Sequence, residues 1–414
     1  MTSRRRFLAA SAAMGALTAV KGRAAKTSST GFPYTEFEAR IARRDFRDMT
    51  KDVLPTPCMV VDQQIFDRNV KLMADTTKAN GIAIRPHVKI HKSVDVARIQ
   101  LTQGGGIGLT CATIAEAELM SNAGLKNVMW TKQPASRNAV ERAVALSKKD
   151  PTFSFVVDDP LVVDWVEQAA EANNAHLKVL VSVFAGPTRQ GIENGKPAVE
   201  LAQKVAASKR MSFEGIMAYA GAAAHTKGFE NRRKRSASDL AGPRETVEMC
   251  KKSGLPVKIF TGGSTGTYNM DHENGLTELE VGSYVFMDTR YFVIGGKSND
   301  AKYDDFGGAL TVLTTVDSKR YPKQVAIDYG NKAGVRPTDV VKEMPWLEVS
   351  TQGAEYGMLK WKDGDREPKL GDRIEIYCTV LDDSTNYYDR YYVARGEQIV
   401  DVWPIMGRSG AAQR

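Results

Sequence analysis

The sequence predicts an α/β fold, in which a (βα)8 TIM-type barrel is followed by a C-terminal all-β domain. Between residues 57 and 263, short apolar runs alternate with segments whose apolar spacing is helical, which is the pattern of a parallel βα barrel. After residue 300 the apolar runs are separated by glycine-marked turns instead of helices. At 414 residues the chain is long enough for one large domain and a smaller one. The predicted barrel strands are 57–62, 82–89, 106–112, 127–132, 153–159, 177–184, 212–219 and 257–263.

The first 25 residues read MTSRRRFLAASAAMGALTAVKGRAA. Consecutive arginines precede an apolar run of small residues, which is too short and too rich in alanine to anchor the chain in a bilayer. This layout predicts a twin-arginine (Tat) signal peptide over residues 1–25 and an N-terminal extension over 26–51. It implies transport by the Tat export machinery, a periplasmic location and no membrane anchor after cleavage.

The predicted signal also accounts for most of the positive charge. The whole chain carries a formal net charge of +8, and the signal holds five basic residues and no acid, so the mature chain would carry +3. Nucleic-acid binding therefore has little support, and the short basic run at 232–235 is expected to be a solvated loop or the start of a helix. The four cysteines are scattered and form neither a metal-like pair nor a disulfide framework.

The predicted barrel covers residues 52–295 and the all-β domain covers 296–414. In such a barrel the chemistry lies at the C-terminal ends of the strands. Lys89 ends the second predicted strand, Arg189 follows the sixth, and Tyr219 and His225 follow the seventh. The segment TGGSTGT (261–267) follows the eighth. The sequence therefore predicts that these residues meet at one rim.

The segment GGSTGT (262–267) combines glycines, which allow close backbone approach, with hydroxyl groups. Main-chain N–H groups and hydroxyls of this kind can bind a phosphate, although many such runs are plain loops. A lysine at the opposite side of the rim can bind phosphate, form a salt bridge or react with an aldehyde. The combination makes pyridoxal 5'-phosphate a natural candidate cofactor.

Five motifs have the same order and content as those of one enzyme family. They are RPHVKIHKS (85–93), LTCATIAEAELM (109–120), IMAYAGAAAH (216–225), GGSTGTYNMD with ELEVGSYVFMD (262–288), and NYYDRYYVARGEQIVDVWPI (386–405). From residue 56 to the C-terminus the chain resembles the fold-type III pyridoxal phosphate enzymes, within them the D-threonine aldolase and D-serine dehydratase group, which has an alanine racemase-like barrel.

The resemblance implies a role for each motif. It places the Schiff-base lysine at Lys89 rather than Lys92, a cofactor-contacting tyrosine at Tyr219 and a catalytic base at His225. Arg189 matches an arginine near the cofactor's phenolic oxygen. The phosphate would be bound by Gly263, Ser264, Thr265, Gly266 and Thr267. His87 and His91 are expected to support the site or to pack, and the family implies a homodimer.

The chain departs from the family where relatives bind a divalent metal. Relatives use a histidine and, two residues later, an aspartate or cysteine, whereas here Val380 stands at the histidine position and Asp382 at the second. Valine cannot bind a metal, and one carboxylate holds Mg²⁺ or Mn²⁺ weakly. The site is therefore expected to be degraded, or rebuilt around Asp382, Asp383 and Tyr356.

The predicted function is retro-aldol cleavage of β-hydroxy D-amino acids of the D-threonine type to glycine and an aldehyde. A D-serine dehydratase-type ammonia-lyase is the first alternative, but expulsion of the hydroxyl depends more on a metal. An amino-acid racemase, with Tyr356 as a second acid/base, and an exported non-catalytic binder of pyridoxal phosphate or D-amino acids are the others.

Overall fold

The structure is a computed structural model that describes residues 33–186, 189–362 and 366–408, so the predicted signal peptide lies outside the described residues. The chain divides into two compact units. The β unit holds the described residues up to Asp67 together with Phe286–Pro404, and the barrel unit holds Arg68–Val285 and the described residues from Ile405 on. The first strand of the chain, β1 (Cys58–Asp62), belongs to the β unit.

Eight parallel strands form the barrel unit, in the spatial order β2-β9-β8-β7-β6-β5-β4-β3. They are β2 (Ala83–Ile84), β3 (Leu109–Cys111), β4 (Val128–Trp130), β5 (Ser154–Val157), β6 (Leu177–Ser182), β7 (Met211–Ala218), β8 (Ile259–Gly262) and β9 (Glu278–Leu279). The end strands β2 and β3 are joined by a parallel bridge between His87 and Thr110 and by a hydrogen bond from the Thr110 N–H to the Pro86 carbonyl, so the sheet curls into a TIM-like barrel.

The α-helices follow the strands in the predicted alternation. They are α1 (Tyr34–Ala42), α2 (Gln63–Ala79), α3 (Val94–Thr102), α4 (Ile114–Asn122), α5 (Arg137–Lys149), α6 (Pro160–Ala172), α7 (Lys196–Ala207) and α8 (Phe229–Lys252), with the short α9 (Thr289–Phe292) and α10 (Leu381–Ser384). Local chemistry sets their starts: Thr113 and Glu116 form a capping box at α4, and α6 begins with Pro160 after the capping Asp159. In the described part of the chain, none of these helices is long and apolar enough to cross a membrane.

The barrel interior is filled by apolar side chains from successive strands. Met129, Val156, Leu180 and Met217 form a buried cluster, with Ile259 packed against it. The strands are buried on both faces, as parallel strands between helices must be, and this explains their continuous apolar runs.

The β unit is built on one nine-stranded sheet. Besides β1 its strands are β10 (Leu310–Ser318), β11 (Gln324–Ile327), β12 (Val340–Val341), β13 (Glu348–Thr351), β14 (Gly357–Lys360), β15 (Arg373–Tyr377), β16 (Arg390–Arg395) and β17 (Gln398–Pro404). The main path is β13-β14-β11-β10-β1-β16-β17, and β15 pairs with β10 and β12. Phe37 and Met49 pack into its core beside Val60 and Tyr392, so part of the predicted N-terminal extension belongs to this unit.

The strand predicted to open the barrel, 57–62, is not a barrel strand. It is β1 of the β unit, and both its edges are taken, by β10 (antiparallel) and β16 (parallel). The missing barrel strand is β9, which lies between β8 and β2. A buried apolar strand has the same sequence pattern in either sheet, so the sequence could not assign β1 to the β unit. Strand β9 was missed because it is only two residues long and contains a glutamate, which gives no apolar run. The four cysteines are free and buried.

Candidate active site

Lys89 lies directly after β2, in a 3-10 helix formed by Val88–Ile90. The Nδ1 atom of His87 accepts a hydrogen bond from the Lys89 N–H at 3.4 Å. The side chain of Lys89 is half-buried, between packed neighbours Val88 and Ile90. The lysine therefore leaves the barrel wall at the C-terminal end of a strand, where the sequence predicted it.

Lys92, the other lysine of the motif, is buried, and its side chain is hydrogen-bonded to the main chain. Its Nζ donates to the main-chain oxygen of Lys89 at 2.7 Å, and the side chain is 3% exposed. Its own carbonyl accepts hydrogen bonds from the N–H groups of Met406 and Gly407 at 3.0 and 2.9 Å. Lys92 thus ties the end of the described chain to the lysine motif, which fits a structural role better than a reactive one.

Two buried histidines flank Lys89. Burial lowers the pKa of His87 well below its usual value, and the charges of Lys89 and Arg189 lower it further. Burial likewise lowers the pKa of His91 to about 3, and Gln100, which also donates to the Tyr284 hydroxyl, hydrogen-bonds to it. Both rings are therefore neutral at physiological pH.

Three charged side chains lie buried beneath this rim, and the sequence reading did not identify them. Arg85 and Glu278 form a bidentate salt bridge with distances of 2.7 and 3.0 Å. Glu280 accepts a hydrogen bond from the Thr261 hydroxyl at 2.9 Å. The pKa of Glu280 is raised to about 7, mainly by burial. The charge of Glu278 also raises this pKa, whereas the Thr261 hydrogen bond and the charges of Arg85 and Lys89 lower it. Lys89 therefore stands within electrostatic reach of an acidic cluster.

The 262–267 loop requires glycine at Gly263. Its φ is +76°, and an added Cβ would lie 2.7 Å from Leu279 Cδ2 and 3.0 Å from Asp271 Oδ2. The Ser264 N–H donates to the Thr267 hydroxyl oxygen at 3.1 Å, and that hydroxyl donates to Asp271 Oδ2 at 2.5 Å. The Thr267 hydroxyl therefore connects the loop backbone to the buried Asp271 and fixes the conformation of the loop.

The rest of the loop is anchored on both sides. The Thr265 hydroxyl oxygen accepts the Tyr284 N–H at 3.0 Å. The fully buried Arg232 donates from Nε to the Gly266 carbonyl at 2.6 Å and from Nη1 to the Thr226 carbonyl at 3.0 Å. Residues 232–235 lie at the start of α8, one of the two expectations for this basic run, but Arg232 is not solvated because the first turn of α8 directs its side chain into the protein.

Arg232 connects the loop with the segment that carries the predicted base. His225 ends the 3-10 helix Ala223–His225, directly before Thr226. Tyr219 directly follows β7, and the Arg189 guanidinium carbon lies 5.0 Å from the centre of its ring, a cation–π contact. Arg189, Tyr219, His225 and the 262–267 loop therefore occupy the same end of the barrel as Lys89, as predicted from the strand order.

Comparison with known proteins agrees with this arrangement. Residues 61–290 match the family model described as alanine racemase, N-terminal domain, and residues 309–394 match the putative serine dehydratase domain. The 3-hydroxy-D-aspartate aldolase of Paracoccus denitrificans (strain Pd 1222) is 31% identical over 372 residues, covering 87% of this chain and 94% of the relative. This chain belongs to the fold-type III pyridoxal phosphate enzymes of the D-threonine aldolase type.

Two further relatives support this placement of the D-threonine aldolase-like chain. The D-threonine aldolase of an Arthrobacter species is 30% identical over 362 residues, covering 85% of this chain and 92% of the relative. The crystal structure of D-threonine aldolase from Filomicrobium marinum superimposes with a TM-score of 0.82 at 28% identity, covering 87% of this chain and 97% of that one. The protein is thus an enzyme of this family, a carbon–carbon lyase of the D-threonine aldolase type.

The residues of the barrel rim fit the cofactor that this family uses. The hydroxyl-bearing residues of the loop are almost completely buried, and the buried Arg232 binds the Gly266 carbonyl of the loop and brings positive charge to it. Lys89 supplies an amine at this rim, and the contacting pair Arg189 and Tyr219 lies at the same rim. A cation, hydroxyl groups and an amine together suit an anionic ligand that carries an aldehyde.

The described residues around Val380 and Asp382 present no assembled set of metal ligands. Within the described ranges, no group of three or more His, Cys, Asp or Glu side chains is placed to bind an ion. Asp383, one residue of the predicted rebuilt site, forms an ion pair with Arg336 at 2.7 Å. Tyr356, another, is 49% exposed. Val380 precedes α10 and contributes no donor.

Proposed function

We propose that this enzyme cleaves β-hydroxy D-amino acids between Cα and Cβ, releasing glycine and an aldehyde, with D-threonine-type compounds as substrates. A pyridoxal phosphate-dependent lyase of β-hydroxy D-amino acids is the class that its relatives support. The observation that carries the proposal is the convergence of Lys89, Arg189, Tyr219 and the 262–267 loop at the C-terminal ends of one set of barrel strands.

The roles follow from the family resemblance and suit the chemistry of each residue. The 262–267 loop and the charge of Arg232 would hold the phosphate, and the Lys89 amine would hold the cofactor's aldehyde carbon. Pyridoxal phosphate bound there would supply an electron sink for the charge that develops at Cα. Arg189 would stabilise the phenolic oxygen in its ionised form. His225 takes the proton from the substrate's β-hydroxyl, which lets the Cα–Cβ bond break.

Aldol cleavage is favoured over dehydration for two reasons. The relatives compared above are aldolases, at 30% identity or slightly more for the curated proteins. Dehydration expels the hydroxyl, a step that gains most from a Lewis acid, and Val380 stands where the family's metal-binding histidine belongs. The serine dehydratase domain match keeps dehydration as the second candidate.

A product assay on a substrate panel tests the proposal. The purified protein, loaded with pyridoxal phosphate, is incubated with D-threonine, 3-hydroxy-D-aspartate, D-serine and D-alanine, and with L-threonine as a stereochemical control. We expect glycine and an aldehyde from a D-configured β-hydroxy substrate. A 2-oxo acid with ammonia would mean a dehydratase, the L-isomer of D-alanine would mean a racemase, and no turnover would mean a binder.

We further propose that the enzyme acts in the periplasm after twin-arginine export and that it works as a homodimer. The first part rests on residues 1–25, which lie outside the described residues. The second rests on the family resemblance and is tested by light scattering of the purified protein.

A further inference from the structure

The β unit contains a second charged cluster, which we call the Asp382 cluster and which consists of Asp288, Arg290, Cys378 and Asp382. Asp288 is fully buried and precedes α9, while Asp382 lies in α10 after Val380. The backbone brings the two segments together, because the Thr289 N–H donates to the Cys378 carbonyl at 3.1 Å, and the charge of Asp382 acts on Asp288. Two nearby carboxylates repel each other unless a cation lies with them.

The cation of the Asp382 cluster is a side chain. The Arg290 guanidinium donates from Nη2 to Asp288 Oδ2 at 3.0 Å and approaches Oδ1 with Nε at 3.5 Å, and the Arg290 N–H donates to Oδ1 at 3.2 Å. The negative charge of Asp382 also stabilises this guanidinium. Both oxygens of Asp288 are therefore engaged by one residue, and a guanidinium keeps its charge at every relevant pH.

The other side chains near the cluster that could bind a metal already interact with protein groups. Asp339 accepts hydrogen bonds from the N–H groups of Arg336 and Thr379, at 2.9 and 2.8 Å, and from the Tyr329 hydroxyl at 3.0 Å. The Cys378 thiol is buried, and its Sγ lies 3.8 Å from the same Tyr329 hydroxyl.

We propose that Arg290 takes the place of the divalent ion in this enzyme: its guanidinium supplies the positive charge beside Asp288 and Asp382, and the protein neither binds nor requires a metal. A valine at position 380 and a guanidinium beside Asp288 are consistent with each other, because a dication beside a bound guanidinium would be repelled. The statement about turnover rests on the proposed function, whereas the statement about metal binding does not.

Metal binding is measured without any substrate. Wild type and variants are dialysed with Mn²⁺ and then against metal-free buffer, and bound Mn²⁺ is quantified by elemental analysis together with the Mn²⁺-induced change in Tm. We expect wild type and Val380→His to retain no stoichiometric Mn²⁺. The double variant Val380→His/Arg290→Met should retain about one ion per chain and gain several degrees in Tm, since ligand binding to the folded state stabilises it.

A matched control replaces the neighbouring arginine. Val380→His/Arg336→Met removes the guanidinium that pairs with Asp383 but leaves Arg290 in place, and it should retain no Mn²⁺. A double variant of Arg290 that is folded by circular dichroism but binds no Mn²⁺ would overturn the role of Arg290. Stoichiometric Mn²⁺ on the wild type would overturn the proposal without any variant.

The second test measures kcat with and without metal. With the substrate found in the product assay, treatment of wild type with EDTA should leave kcat unchanged within about twofold, and Arg290→Met should lower kcat in the presence or absence of Mn²⁺. Loss of wild-type activity on chelation, restored by Mn²⁺, would refute the proposal. An enzyme without activity on any substrate would refute the proposed function while the Mn²⁺ result still stood on its own.

Discussion

The Nζ atom of Lys92 donates a hydrogen bond to the main-chain oxygen of Lys89 at 2.7 Å. The two lysines of the motif therefore have different tasks. Lys92 lies almost completely buried and holds the backbone that carries Lys89, while the Lys89 side chain is half-buried at the end of a strand.

Covalent trapping separates the two lysines. Borohydride reduction of the cofactor-loaded protein should fix the cofactor on Lys89, as read by peptide mass spectrometry, and Lys89→Ala should be colourless. Lys92→Asn, whose side chain tolerates the positive φ of 52° at this position, should still be labelled at Lys89. Cofactor found on Lys92 in wild type would reverse the assignment.

Arg232 should control cofactor affinity. Replacing it by methionine removes two charge-assisted hydrogen bonds that hold the 262–267 loop and the segment after His225. We expect the Kd for pyridoxal phosphate, measured by fluorescence titration, to rise by about 10- to 100-fold, which corresponds to roughly 1.4–2.8 kcal/mol.

Arg233 provides the control for this substitution. It follows Arg232 in the chain but is exposed and pairs with Glu273 at 2.6 Å. Arg233→Met should leave the Kd within about twofold, because exposed ion pairs contribute little. Equal effects of the two substitutions would mean that the helix as a whole, and not the buried guanidinium, sets the affinity.

The buried Glu280 predicts a pH dependence of stability. Because burial raises its pKa to about 7 from the ordinary value of 4.5, the folded state binds the proton more tightly than the unfolded state. The stability contributed by the protonated carboxyl is complete below pH 4.5 and is lost as pH rises to about 7. Glu280→Gln should therefore raise the free energy of unfolding at pH 8 by up to about 3 kcal/mol and flatten the profile between these values.

The neighbouring glutamate should behave in the opposite way. Glu278 forms the buried salt bridge with Arg85, so Glu278→Gln leaves a guanidinium without its counter-charge and should cost about 3 kcal/mol or more. Urea unfolding at several pH values measures both variants. A Glu280→Gln protein that is less stable than wild type at pH 8 would show that Glu280 is ionised and usefully paired.

The strand order made most of the barrel and its rim predictable, because each apolar run between helices marks one strand. The exceptions have physical reasons. β1 is as apolar as a barrel strand, and only its partners β10 and β16 decide its sheet. Arg232 belongs to a basic run in the sequence, and only the orientation of α8 shows that this one side chain is buried. Arg290 was not recognised because its importance depends on Asp288 and Asp382, which the chain separates by almost a hundred residues.

Export can be tested independently of catalysis. Replacing Arg4 and Arg5 by lysine should retain the protein in the cytoplasm, since the twin-arginine machinery recognises the arginine pair. Cell fractionation and N-terminal sequencing of the wild type, whose mature chain should begin near residue 25, measure this. Unchanged periplasmic location of the double variant would mean that these arginines are not an export signal.

The central claim is that the enzyme breaks the Cα–Cβ bond of a β-hydroxy D-amino acid, and turnover of D-threonine in D₂O tests it most directly. Cleavage leaves a negative charge at Cα that must be quenched by a solvent-derived proton, while the β-hydroxyl becomes the aldehyde oxygen. Mass spectrometry should therefore find glycine with a single carbon-bound deuterium, in equal amount to acetaldehyde, and none of either from Lys89→Ala. Formation of 2-oxobutyrate and ammonia, or recovery of intact threonine with deuterium at Cα and no glycine, would contradict the account.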